Sequence, residues 1–375
     1  MPISRAPFDP LFALERPLRH VPRWLAAVLL AVSLAAIGWA AAGQGVDVHP
    51  AAGSATTAPG AETSGEQPDD GDLALYRRIN ERLRQGEGYY SAAMTEQRAA
   101  NYPTRPFYTV RLPTMAWVSA RFGEGAWKGL AMILLLANAL AWTAAVRERA
   151  NLPERLGAAV LVMLGGAGAL TEQAGLFHDL VAGLLLSLAL ALYRPNIWWP
   201  SLALLGAALA IRELALPFLL LWLAFALVQG RRGQVLGLGI MLAAFAAMML
   251  AHWQAVEALR LTTDPPSQGW NGLRGLPLFG TAMARLTGLL LLPPWLAAAI
   301  GVMPLLGWLA LGGRLGIFAT LLFAGYALAL AVFARPENFY WGLLVLPAYA
   351  VGLAFVPRAV ADLGRALFAR SETRI

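Results

Sequence analysis

The sequence predicts an all-α, polytopic membrane protein of about ten transmembrane helices, with an extracytoplasmic first loop that carries short amphipathic helices. Three observations carry this. Of the 375 residues, 58% are hydrophobic and only 14% are charged, where a soluble domain has roughly a quarter charged. The apolar residues fall in runs near the ~20 that an α-helix needs to cross a bilayer. Arginines gather on alternate connections between those runs, the bias that orients membrane proteins.

The chain opens with Arg5, Arg16, Arg19 and Arg23 ahead of the apolar run 24–43. A basic leader before a spanning-length run reads as an uncleaved first helix with residues 1–23 in the cytoplasm. Residues 44–68 are rich in Ala, Gly, Ser, Thr and Pro. They offer too little apolar surface to offset the entropy of ordering, and read as a flexible tether. The tether begins an extracytoplasmic loop over 44–125, whose polar part, Asp69 to Thr114, forms a helical lip. Nine further apolar runs follow at about 126–146, 155–171, 176–193, 198–212, 214–229, 235–252, 286–311, 316–333 and 340–357. They make a nine-helix bundle over 126–357, with a cytoplasmic tail at 358–375.

Arg147, Arg149, Arg155, Arg194, Arg231, Arg232, Arg314, Arg358 and Arg365 all fall on the connections assigned to the cytoplasm, so both termini lie there. The net charge of +7 would suit nucleic acid in a soluble chain. Here the arginines border apolar runs, so no nucleic-acid partner is expected and the membrane lipid is the partner. There is no cysteine, which removes disulfides, thiolate metal sites and cysteine nucleophiles together.

The opposite face receives the polar stretch, Thr171 to Asp179, the Arg212–Glu213 turn, the loop from His252 to Arg285, and Arg335 to Tyr340. Asp72 opens an amphipathic helix whose stripe is Tyr76, Ile79 and Leu83, with Arg77, Arg78, Arg82 and Arg84 turned to headgroups. Its carboxylate has two readings, an N-cap for that helix or a general base. Asp69 and Asp70 read as solvated residues at the end of the tether. Tyr89, Tyr90 and the segment from Asn101 to Tyr108 combine aromatics with prolines, as a rigid rim would. Tyrosine faces stack on sugar rings and also line membrane interfaces. Arg105 and Arg111 have the planar fork that grips phosphate, and snorkelling to headgroups is the plainer role for each.

His178 and Asp179 fall at the start of a span, where ionisable groups are costly and turn to the bundle interior or a water-filled cavity. The pair reads as a structural or substrate-binding contact. No spaced set of three ligands marks a metal site, so no metal or other cofactor is called for; a divalent cation stays open. Arg212 and Glu213 interrupt an otherwise apolar stretch too long for one crossing, and mark a hairpin or re-entrant tip, with Arg212 either self-paired or binding a phosphate. Arg335, Glu337, Asn338 and Tyr340 form a second polar cluster on the same face. The loop with Trp270, Asn271 and Arg274 is a candidate lid.

This arrangement resembles the GT-C superfamily of multi-spanning glycosyltransferases, including the protein O-mannosyltransferase and aminoarabinose transferase relatives. The resemblance is carried by Asp72-Leu73-Ala74-Leu75-Tyr76, then Ile79, Gly86 and Tyr89-Tyr90, in a first outward loop, and by the charged tip Arg212–Glu213. Many members have a second acid directly after the first. Leu73 stands there instead, so the counterpart is either Asp72 or the Asp69–Asp70 pair. The resemblance implies a polyprenyl-phosphate sugar donor, a glycan, lipid or protein acceptor, inversion at the anomeric carbon, Asp72 as base and arginines at the phosphate. No nucleotide is needed, in keeping with the absence of a phosphate-binding glycine loop. The Ala- and Arg-rich composition fits a bacterial inner membrane. Two other classes also fit a polar lip: a transporter or flippase for a lipid-linked sugar, and a non-catalytic assembly protein of the envelope.

Overall fold

A computed structural model describes residues 14–43 and 71–368. Residues 1–13, 44–70 and 369–375 lie outside the described residues, and with them the expected tether and the Asp69–Asp70 pair. Among the described residues the chain is helical and has no β-strand. In chain order the helices are α1 (Arg23–Ala42), α2 (Asp72–Arg84), α3 (Tyr89–Ala99), α4 (Thr114–Phe122), α5 (Glu124–Ala145), α6 (Leu152–Gly165), α7 (His178–Leu192) and α8 (Trp199–Ile211). After them come α9 (Leu216–Val228), α10 (Arg232–Glu257), α11 (Gly275–Arg285), α12 (Pro294–Val302), α13 (Pro304–Leu311), α14 (Gly313–Phe333), α15 (Leu346–Val351) and α16 (Val356–Phe368).

Among the described residues six helical segments are long and apolar enough to cross a membrane: α1, α5, α10, α14 and the continuous pairs Pro294–Leu311 and Leu346–Phe368. Three shorter apolar helices accompany them, at His178–Leu192, Trp199–Ile211 and Glu213–Val228. The expected run at 155–171 is a helix of 14 residues, α6. The expected run at 340–357 starts later, because Pro336–Leu344 is a 3-10 segment, and it continues to Phe368. Along α1, Trp24, Val28, Val32, Leu34 and Trp39 are exposed, as are Leu236, Ile240 and Leu250 along α10. Leu and Ile turned outward over whole helices suit a hydrocarbon surrounding, where they meet no water.

The helix at the centre is α7. Every residue from His178 to Ala191 is buried, so a Leu/Ala sequence apolar on all sides finds partners on all sides. Its few polar atoms are satisfied: Trp142 donates to Ser187 Oγ at 2.9 Å, and Asn138 donates to the Leu184 carbonyl at 3.0 Å. Gly183 has no side chain where Pro336–Leu344 crosses. A Cβ there would fall on the Leu343 carbonyl oxygen and lie 2.9 Å from that of Leu344.

One end of the bundle is held by arginine. Asn151 and Glu154 form a reciprocal cap that starts α6, each backbone N–H donating to the other's side chain at 2.9 Å. The Glu154 carboxylate also pairs with Arg358 of α16. Arg16 donates to both oxygens of the fully buried Asp362, at 3.0 and 2.5 Å, which ties the segment before α1 to the last helix.

At the other end α2, α3 and α4 form a separate small layer around Leu75, Ile79, Tyr89, Ala92, Met94 and Val110, seated on Val256 of α10. Arg78 and Arg82, expected to face headgroups, keep 39% and 38% of their side chains exposed. Both also donate to Glu96 of α3, at 3.0 and 2.5 Å, and Arg82 to Glu87 at 3.0 Å. The buried Glu96 carboxylate thus has two guanidinium partners within the layer.

Candidate functional site

Where the small layer meets the bundle there is a cavity of about 250 Å³. Its wall takes Asp72 and Tyr76 from α2, Tyr89 from α3, Tyr102 and Arg111 from the segment before α4, and Arg212 and Glu213 from the turn after α8. Gln268 and Trp270 join from the strap before α11, and Arg335, Glu337, Asn338 and Tyr340 from the segment crossing α7. Residues more than 260 positions apart in the chain thus face one space, close to the low end of ligand pockets, which run from ~300 Å³ upward.

Asp72 is the first residue of α2, but Gly71 is the N-cap and no side chain caps the helix. Asp72 Oδ1 instead accepts the hydroxyl of Tyr102 at 2.6 Å. Asn101 takes a left-handed conformation (φ 55°), and the Tyr102 N–H donates to the Gln97 carbonyl at 2.8 Å, which turns Tyr102 back toward the start of α2. Deeper in the wall, Arg111 donates from Nε to the Tyr76 hydroxyl at 3.0 Å and from Nη2 to that of Tyr340 at 3.3 Å. The Tyr89 hydroxyl donates to the Arg111 carbonyl at 2.6 Å. Burial pushes the Tyr76 phenol up to about 12, with the Asp72 carboxylate adding to the rise and Arg111 opposing it. It keeps its proton at neutral pH.

Arg212 is 1% exposed. Its Nε donates to Asp179 at 2.7 Å and its Nη1 to Glu213 at 3.0 Å, while Nη2 is buried with no hydrogen-bond partner among the described residues. The turn that carries it is pinned from two sides, by the Tyr326 hydroxyl to the Leu214 carbonyl at 2.6 Å and by the Thr114 hydroxyl to the Ala210 carbonyl at 2.5 Å. A buried guanidinium with an unmade bond is costly, and Arg212 carries it in a turn on the cavity wall. Arg335 donates to Gln268 at 2.5 Å and stands 3.8 Å from Glu337. Glu337 Oε2 and Asn338 Oδ1 are buried without hydrogen-bond partners among the described residues.

The strap is fastened by Arg98, which donates to both oxygens of Asp264 at 2.7 and 3.0 Å and to the Leu259 carbonyl at 2.6 Å. That bond holds the Asp264 carboxyl well below the usual range, at about 2, against the opposing effect of burial. Beyond it Trp270 lies against Tyr108 and Trp341, with ring centroids 4.9 and 5.6 Å apart.

Four expected site residues lie off the cavity wall. Tyr90 bonds His252 Nδ1 at 3.1 Å and docks the layer on α10. Arg105 donates to the Asp264 carbonyl and braces the strap. His178 sits under the Tyr76 ring, 4.8 Å between centroids, and Asp179 stands behind Arg212 as its counter-ion. Tyr102, Gln268 and Trp270 were not among the expected site residues. Tyr102 lies in the aromatic and proline-rich rim noted in the sequence, but nothing along the chain pairs it with Asp72.

The wall carries the carboxylates Asp72, Glu213 and Glu337 and the cations Arg111, Arg212 and Arg335. Glu213 is paired with Arg212, and Glu337 faces Arg335. Asp72 has no basic partner at ion-pair distance among the described residues. Among the described residues no three His, Cys, Asp or Glu side chains come together as metal ligands would. No family model matches the chain, and neither the curated proteins nor the solved structures give a match to it.

Proposed function

We propose that the chain is a membrane glycosyltransferase of GT-C type, moving a sugar from a polyprenyl-phosphate carrier to an acceptor hydroxyl. The observation that carries the reading is one cavity that joins Asp72, an acid with no cationic partner among the described residues, to Arg212, a buried guanidinium with a donor unused among them. A general base that must take a proton is weakened by a fixed cation beside it. That consideration favours Asp72 over Glu213 and Glu337. Arg212 Nη2, with Arg111 and Arg335 on the same wall, supplies positive charge where a departing phosphate gathers negative charge.

In this reading the acceptor oxygen attacks the anomeric carbon and its proton passes to Asp72. The bond from that carbon to the phosphate oxygen breaks, and the polyprenyl phosphate leaves with the electron pair, inverting the anomeric centre. A cavity of about 250 Å³ suits one sugar ring and its phosphate rather than an oligosaccharide. Tyr76, Tyr89 and Tyr340 supply ring faces and hydroxyls around the sugar.

The finer topology belongs to the same proposal: ten crossings, the arginine-held end in the cytoplasm of a bacterial inner membrane, and the cavity on the outer side. Helix α8 has 13 residues, about 20 Å at 1.5 Å per residue against a ~30 Å hydrocarbon core. A helix this short, rising from the cytoplasmic side, leaves the Arg212 turn below the outer surface, within reach of a lipid phosphate.

The test is to incubate purified protein with a panel of decaprenyl-phosphoryl hexoses and pentoses and follow release of free decaprenyl phosphate. The proposal expects release with at least one donor. No release with any donor, together with movement of the sugar lipid across liposomes, would instead make the chain a transporter.

A further inference from the structure

We infer that Tyr102 is a positioning residue for Asp72, holding the carboxylate by Oδ1 so that Oδ2 is the oxygen offered to the attacking hydroxyl; the inference rests on the glycosyl-transfer reading above. Asp72 sits at the first position of α2, beside the free N–H groups of the helix start. A short acidic side chain there ordinarily turns back to those groups, drawn by their unmade bonds and by the helix dipole. In this chain it does not, and no side chain caps α2. The contact that replaces the cap is the Tyr102 hydroxyl at 2.6 Å, within the short range of an O–H donor to a charged oxygen, ~2.5–2.7 Å.

The backbone of Tyr102 is tied to α3 and not to α2. Its N–H is tied to Gln97 of α3, Asn101 before it makes the left-handed turn, and Pro103 after it keeps its backbone extended. The ring is therefore a fixed post reaching from one element to another. The titratable and charged groups around Asp72 are Tyr76 from its own helix, Tyr102, Tyr340 from the segment crossing α7, and Arg111 behind Tyr76. Burial and the neighbouring carboxylate push the Tyr102 phenol above its usual value, so the proton stays on tyrosine and the bond runs toward Asp72. During transfer the acceptor proton goes to Oδ2 and Tyr102 keeps its own.

The experiment compares the native protein, Asp72→Asn and Tyr102→Phe on a donor from the decaprenyl-phosphoryl panel that turns over. It records kcat, donor KM and the thermal midpoint of each. Tyr102→Phe keeps the ring and removes the donor. The expected result is a fall in kcat of about 10- to 100-fold with donor KM little changed. The thermal midpoint of Tyr102→Phe is expected to stay at the native value. Native kcat in Tyr102→Phe, with Asp72→Asn inactive, would overturn the role of Tyr102 alone. So would a fall in kcat that comes with a lowered thermal midpoint or with an equal rise in donor KM. Native turnover in Asp72→Asn, or no release from the native protein with any donor, overturns the underlying reading and this inference with it.

Discussion

Arg212 and Asp72 are opposite solutions to burying charge beside a cavity. Among the described residues Arg212 has two carboxylate partners and one unused donor, and Asp72 has a phenol and no cation. Arg212→Lys keeps the charge but cannot keep the fork that holds Asp179 and Glu213 while presenting a third N–H. It is expected to weaken binding of decaprenyl phosphate about 10- to 100-fold, the loss of one hydrogen bond to a charged group, measured by calorimetry in detergent. Affinity equal to native would remove Arg212 from the phosphate site. Most of the wall was legible as residue types: Asp72, Tyr76, Tyr89, Arg111, Arg212, Glu213 and the Arg335–Tyr340 cluster are polar where a membrane chain has least use for polarity. What was not legible was pairing. Arg105, Tyr90 and Asp179 are as polar as the wall residues, yet they brace it from behind, and only three-dimensional placement separates the two roles.

Among the elements, the strap from Leu259 to Arg274 has the plainest mechanical lock, Arg98 on Asp264. Because the folded Asp264 carboxyl is held down to about 2, its contribution is complete above the ordinary carboxyl value of ~3.9. The contribution is lost as pH falls from there through about 2, so the strap stays fastened over all pH values at which the protein would work. Asp264→Asn is expected to raise hydrogen exchange across the strap at neutral pH while leaving α7 protected, and unchanged exchange would mean that Trp270 and Gln268 hold it unaided. A second element with a clear fault point is the crossing at Gly183. Gly183→Ala places a methyl on the Leu343 carbonyl and is expected to destabilise the bundle by about 1–3 kcal/mol, the usual cost of overpacking, read as a lowered denaturation midpoint.

At the scale of the molecule, hydropathy made the helical class legible, since six helices among the described residues are long and apolar enough to cross a membrane. Boundaries were less legible where proline or short length intervenes. Pro336 to Leu344 is wound as a 3-10 segment, and α6, α7 and α8 are shorter than a crossing. Of these only α7 is buried along its length, so its length no longer has to match the bilayer. The small layer of α2 to α4 was legible as amphipathic, but not the pairing of its arginines with Glu96, which comes from a different helix. The absence of cysteine makes the topology directly testable with single introduced thiols. Gln268→Cys at the cavity end and Arg194→Cys at the arginine-held end are expected to react with impermeant maleimide from opposite sides of the membrane. Labelling of both from one side would contradict the proposed ten crossings.

The central claim is that one cavity joins a base to a phosphate-holding cluster. Its most direct test is a single-turnover measurement of decaprenyl phosphate release by the native protein and by Asp72→Asn, each first shown to bind decaprenyl phosphate equally. The predicted result is a rate at least about 100-fold lower in Asp72→Asn, within the range of general-base contributions, with binding unchanged. Equal rates in the two proteins would contradict it.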